Sequence, residues 1–188
     1  SSDVSVAAAN TLLKIGRFRP IKASKTPKKK GNGPPVFVNV DPTIDQSKQL
    51  PAGSGQRLEK ILKDSVQRTG YATTWPGGGM PTSADLESNS SRGCIVASTV
   101  KKLEITKTGS QTQIACTVAV RIAPWNGKDG GERWEANRAA SASGSAKATV
   151  GNSPKMVAAG VNDCIEAVAE NVTSQQVVPF LKRLASTY

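Results

Sequence analysis

Along this chain of 188 residues, the sharpest hydrophobic pattern covers residues 114–122. Ile114, Cys116, Val118, Val120 and Ile122 alternate with Ala115, Thr117, Ala119 and Arg121. That period of two marks a strand with one buried face. Residues 94–105 begin apolar on both faces (Ile95, Val96, Ala97, Val100), then alternate Leu103 and Ile105 with Lys102 and Glu104. This predicts a strand that is central in its first half. Residues 107–112 turn and 113–123 return. Residues 36–40 read as a short strand closed by Asp41-Pro42, and 71–75 as another. Residues 132–150 predict a long strand with Ala136, Ala140, Ala142, Gly144, Ala146 and Ala148 on one side, beside Arg138. Alanine favours helix, but Ser141, Ser143, Gly144 and Ser145 make a poor helix interior, and side chains this small let a helix lie close.

The other periodicity is helical. Residues 54–70 carry Leu58, Ile61, Leu62 and Val66 on one stripe, with Glu59–Lys63 and Lys60–Asp64 as i,i+4 pairs worth a few tenths of a kcal/mol each. Gly70 is placed to stop that helix. Ser153 and Pro154 read as N-cap and first position of a second helix with Val157, Val161, Cys164, Ile165 and Val168 inward. A further apolar helix or turn covers 172–184, begun or kinked by Pro179. Residues 43–53 and 76–91 read as loops. Residues 3–16 read as a short helix capped by Asp3 and ended by Gly16. There Asp3, Val6, Ala8-Ala9, Leu13 and Ile15-Gly16 resemble the second helix of a HEAT-type repeat, which implies that the chain ends a longer helical-repeat protein. The abrupt start at Ser1-Ser2-Asp3 fits a cut from a longer precursor.

These elements predict an α/β (α+β) fold: a mostly antiparallel sheet over residues 36–188 with two amphipathic helices on one face. A short helix at 1–16 and a flexible basic linker at 17–35 precede it. Hydrophobic residues make up 37% of the chain and aromatics 4%, so the core must be built from Val, Ile, Leu and Ala. The net charge is +11, and eight cations fall in Lys14, Arg17, Arg19, Lys22, Lys25, Lys28, Lys29 and Lys30 with no acid among them. With four prolines and two glycines following Arg17, this arm cannot bury enough apolar surface to fold. Lys22, Lys25, Lys28, Lys29 and Lys30 are the candidate grip for an anionic partner: nucleic acid by counterion release, or an anionic surface. The arm lacks interleaved aromatics for base stacking.

The absence of histidine removes His-based acid–base chemistry, the Ser-His-Asp and Cys-His pairs and His metal ligands. Cys94, Cys116 and Cys164 have no C-x-x-C spacing. They read as buried small hydrophobes, with a Cys94–Cys116 bridge as the alternative in an oxidising compartment. Gly77-Gly78-Gly79 lacks the Lys-Ser/Thr of a phosphate loop. Asp41, Asp45, Asp64 and Asp85 are scattered. No catalytic residue, metal site or cofactor is expected, and no apolar run is long enough to span a membrane. Trp125 and Trp134 flank one turn, where they either close a hairpin as cross-strand neighbours or offer a partner-binding spot together with Arg138.

The order strand, helix, strand, two long strands about a charged turn with Trp, then helix is carried by residues 36–40, 54–70, 94–105, 113–123, 132–150 and 154–172. It is similar to the small α/β domains of bacterial envelope lipoproteins: the TolB amino-terminal domain, CsgG, and the lipoprotein activators of penicillin-binding proteins. The resemblance implies a non-catalytic interaction or scaffold domain in the periplasm or cell envelope that docks on other proteins. A nucleic-acid-associated protein gripping through the arm is the alternative, with a cytoplasmic location.

Overall fold

The computed structural model describes residues 3–5, 33–131 and 139–186. Six strands and five helices are present among them: β1 (Asp3–Ser5), β2 (Val36–Val40), β3 (Ile44–Asp45), α1 (Ser54–Arg68), α2 (Ser83–Ser88), β4 (Arg92–Thr108), β5 (Gln111–Pro124), α3 (Gly127–Gly130), β6 (Ala140–Gly151), α4 (Pro154–Val172) and α5 (Val178–Ser186), with one π-helical turn (Thr173–Val177) joining the last two. The sheet runs β1-β6-β5-β4-β2, with β3 beside β4 further along the same edge as β2. β4, β5, β6 and β1 are antiparallel in turn, while β2 and β3 run parallel to β4. A parallel pair needs a crossover between its strands, and α1 lies within the β2–β4 connection.

The inner face of the sheet packs under α1 and α4. Leu58, Leu62 and Val66 of α1 and Val161, Cys164, Ile165 and Val168 of α4 close over Val96, Val100, Ile114, Val118, Val120 and Ile122. The expected α/β layering and the two helices on one face are both present. Ser153 caps α4 as its pattern predicts, its hydroxyl accepting from the Met156 N–H at 3.2 Å, with Pro154 in the first turn. Ala140, Ala142, Ala146 and Ala148 are buried below α4. The close approach they permit is matched on the helix by Gly160, where a Cβ would stand 2.7 Å from Val150 Cγ1 and 2.8 Å from Ile114 Cδ1.

Several expectations are corrected. Asp3–Ser5 is a strand, not the start of a helix: Val4 pairs with Ala148 and extends the sheet past β6. The remainder of the expected HEAT-like helix, residues 6–16, lies outside the described residues, as does the arm with Lys22, Lys25, Lys28, Lys29 and Lys30. The loop at 43–53 contains β3. The loop at 76–91 contains α2, which is nucleated by a reciprocal capping box between Thr82 and Asp85. Residues 71–75 contribute a single parallel bridge, Phe37 to Ala72, rather than a strand. The strand expected from residue 132 is described only from Ala140.

The cysteines pair differently from the bridge weighed in the sequence. Cys116 on β5 is bonded to Cys164 on α4, with Cα atoms 6.4 Å apart, and Cys94 is a free buried thiol. Register is the reason. Cys94 stands opposite Pro124 and Cys116 opposite Leu103, so Cys94 and Cys116 are separated by roughly 30 Å along the hairpin, far beyond disulfide reach.

Candidate docking surface

The outer face of the sheet, away from α1 and α4, has two parts. At one end a second cluster joins Phe37, Leu86, Ile95, Ala123, Trp125 and Ala139, with Trp75 packed against it. The Phe37 ring meets Trp75 edge-on and Trp125 tilted, both at 5.7 Å between centroids. Such pairs add about 0.5–1.5 kcal/mol beyond area burial. Trp125 is 5% exposed, so it is first a core side chain. Its edge reaches a groove of about 540 Å³ bounded by Ser83, Leu86, Arg92, Pro124 and Asn126. Trp134 and Arg138, the other two residues singled out for partner binding, lie outside the described residues.

The groove's rim is a knitted corner. Gly127 has φ +86° and sits so close to the Thr82–Ser83 backbone that a Cβ would come within about 2.5 Å of it. The Lys128 N–H donates to the Pro81 carbonyl at 2.9 Å. The Asp129 carboxylate accepts from the Ser83 N–H at 2.7 Å and from its hydroxyl at 3.1 Å. The Ser83 backbone donor holds the Asp129 pKa below its ordinary value, and the Thr82 donors do the same for Asp85. These carboxylates are spent on local backbone. Glu87 is the groove's remaining carboxylate.

The second part of the outer face has no helix packed on it among the described residues. A furrow of about 370 Å³ crosses the strands here, lined by Ile44, Ala97, Thr99, Lys101, Thr117, Ala119, Arg121, Ser141 and Ser143 among others. Its origin lies in the strand pattern. On β5 and β6 the outward positions are Thr117, Ala119 and Arg121, and Ser141, Ser143, Ser145 and Lys147, opposite the buried positions. On β4 a bulge between Val100 and Lys102 inserts one residue and shifts the parity. Val100 and Leu103, three apart, are therefore both buried, while Lys101 and Lys102 both belong to the outer side. The face is small-residued and rich in hydroxyls, with Thr117 and Ser145 hydrogen-bonded to each other at 3.0 Å.

Among the described residues its charge is mostly positive. Lys101, Lys102, Arg121 and Lys147 stand on it, and the carboxylate beside them on β4, Glu104, is bound by Lys102 at 2.9 Å. Ile44 is 56% exposed at the margin. Each of these residues is plain in the sequence, where the Trp hairpin and the basic arm are the more conspicuous features. The less conspicuous signal is the run of outward Ser and Thr facing a helix-free side.

Among the described residues, no group of three or more His, Cys, Asp or Glu side chains is gathered, and no helix is long and apolar enough to cross a membrane.

No protein-family model and no curated protein matches the chain. Solved structures that resemble it include a neuraminyllactose-binding hemagglutinin homologue from Helicobacter pylori, 12% identical over 91% of this chain and 98% of that one, with a TM-score of 0.47. The PelC dodecamer from Paraburkholderia phytofirmans is 12% identical over 93% and 96%, at 0.39. Lipoprotein GNA1162 from Neisseria meningitidis is 14% identical over 81% and 99%, at 0.36. At TM-scores below 0.5 these are loose similarities, and the functional reading stands on the chain's own residues.

Proposed function

We propose that this chain is a non-catalytic protein-interaction domain of a bacterial cell-envelope assembly, and that a partner docks on the bare outer face of β4, β5 and β6. The observation that carries this is the asymmetry of the sheet. Its inner face is roofed by α1 and α4, while among the described residues the outer face, beyond the Trp125 cluster, presents an open furrow of small and hydroxylated residues. Surfaces of that kind allow close, hydrogen-bonded approach by another chain, and the rigid sheet beneath pre-organises it.

The Cys116–Cys164 bridge supports a site of action outside the cytoplasm, since such bonds persist in oxidising compartments such as the bacterial periplasm. The carboxylates at the rim of the Trp125 groove, Asp85 and Asp129, accept from the Thr82 and Ser83 backbone N–H groups, which fits a structural rather than an acid–base role for them.

The reading is tested by placing a photo-crosslinking residue at Ser143 on the open face, or at Lys155 on α4 as a control, in chain exported to the periplasm. Adducts with one discrete protein from Ser143 and none from Lys155 are expected, on oxidised protein. Equal crosslinking from both positions, or retention of DNA or RNA that vanishes when Lys28, Lys29 and Lys30 become Glu, would refute it.

A further inference from the structure

The charge and shape of the open face specify the chemistry of what fits it. Resting on the docking role proposed above, we infer that the furrow across β4, β5 and β6 receives an extended acidic protein segment that carries an apolar side chain.

Charge complementarity selects the sign. Lys101 and Lys102 stand on β4, Lys147 stands on β6, and the neighbouring Glu104 carboxylate is occupied by Lys102. Thr117 is opposite Lys102 on one side and Ser145 on the other, and Lys147 lies two residues past Ser145. With strands about 4.8 Å apart and about 3.4 Å of rise per residue, Lys102 and Lys147 are about 12 Å from one another on the sheet at the Lys101 end of the furrow. An extended chain spans that distance in about four residues. Two carboxylates on one such segment can therefore meet both lysines at once.

Between the cations lie Thr117 and Ser145, and the furrow continues from Lys101 past Thr99, Ser143 and Ser141; their hydroxyls both donate and accept, as a peptide backbone requires. Ile44 at the margin, 56% exposed, supplies the apolar contact.

Other occupants fit less well. A second copy would set this cationic face, on a chain of net charge +11, against its own like charges. A single-stranded nucleic acid gains much of its affinity from aromatic stacking, and among the described residues lining the furrow there is no aromatic side chain.

The test is fluorescence polarisation with the full chain and a labelled twelve-residue peptide of Glu and Ser with one central Leu. Its Lys-for-Glu counterpart, a DNA dodecamer and polygalacturonate serve as competitors. Expected is saturable binding of the acidic peptide that weakens at least tenfold in Lys101→Glu/Lys147→Glu. It should persist within twofold in Lys63→Glu/Lys155→Glu, and also when Lys22, Lys25, Lys28, Lys29 and Lys30 become Gln. Melting curves confirm that each variant is folded. Ile44→Ser should weaken the Leu peptide but not a Leu-to-Ser version.

No saturable binding, loss of binding with the arm substitutions, indifference to the Lys101/Lys147 reversal, or tighter binding of the DNA or polygalacturonate would each overturn the inference. Retained Ser143-specific crosslinking in the reversed-charge variant would show that the face still docks a partner while the acidic segment is wrong.

Discussion

Reducing the Cys116–Cys164 bridge should lower the melting temperature of the intact chain by roughly 8–16 °C. The two cysteines are separated by 48 residues. Chain-entropy loss for a loop of that length is about 13.6 cal/mol/K, or about 4 kcal/mol at 25 °C. One kcal/mol shifts the midpoint by about 2–4 °C for a domain of this size. The loop it closes includes β6 and the first half of α4, so the bond pins the helical layer to the middle of the sheet. The assay is scanning calorimetry of oxidised and reduced wild-type chain, which leaves every side chain in place and creates no cavity. Alkylation followed by peptide mass mapping checks the pairing. Unfolded under oxidising conditions, the chain should take the label at Cys94 alone. Folded, Cys94 should react slowly, because burial leaves it 3% exposed and pushes its thiol pKa up to about 12. A shift below about 2 °C on reduction, or label on Cys116 in the oxidised chain, would refute the reasoning.

Three other perturbations separate the packing arguments. Gly93→Ala should cost about 3 kcal/mol in urea unfolding, because a Cβ there would collide with the Trp125 carbonyl oxygen, and that oxygen is fixed backbone; an unchanged urea midpoint would show that the two strands can part cheaply. Gly160→Ala sets a helix-propensity gain of about 1 kcal/mol against overpacking of about 1–3 kcal/mol on Ile114 and Val150; a net loss near 1 kcal/mol is expected, and a gain would mean that Val150 swings aside. The Asp85 and Asp129 pKa values are held below their ordinary value of 3.8, so each adds stability above its unfolded pKa that drains away as pH falls through the lower folded value. The α2–α3 corner should therefore loosen below about pH 4, read from Trp fluorescence, with Asp129→Asn as the variant whose response shrinks to the part Asp85 carries.

What the chain disclosed in its sequence depended on how local the deciding contact was. β5, α1 and α4 carry their own periodicity, and Ser153-Pro154 is a cap written in two adjacent residues; all appear as read. α2 was equally local, since Thr82 and Asp85 have capping-box spacing, but the three glycines before it drew the reading toward a loop. β1 and β3 are three and two residues long, and only their distant partners, β6 and β4, make them strands. The switch from Val96 and Val100 to Leu103 and Ile105 was visible as a change from even to odd positions, and the bulge at Lys101 is its physical meaning. The disulfide could not be chosen from three inward cysteines until the hairpin register separated Cys94 from Cys116. The docking face was the least legible part, because a surface is defined by what fails to cover it.

The bulge at Lys101 also fixes a reading frame. Upstream of it even-numbered β4 residues point to the core; downstream, odd-numbered ones do. Deleting Lys101 would leave Val100, Lys102, Leu103 and Glu104 in strict in-out alternation against Val118, Thr117, Cys116 and Ala115, so the far half of the hairpin would keep its faces and lose only the local irregularity. The bulge is therefore a place along β4 where the ribbon can shed one residue in length without turning its buried side outward.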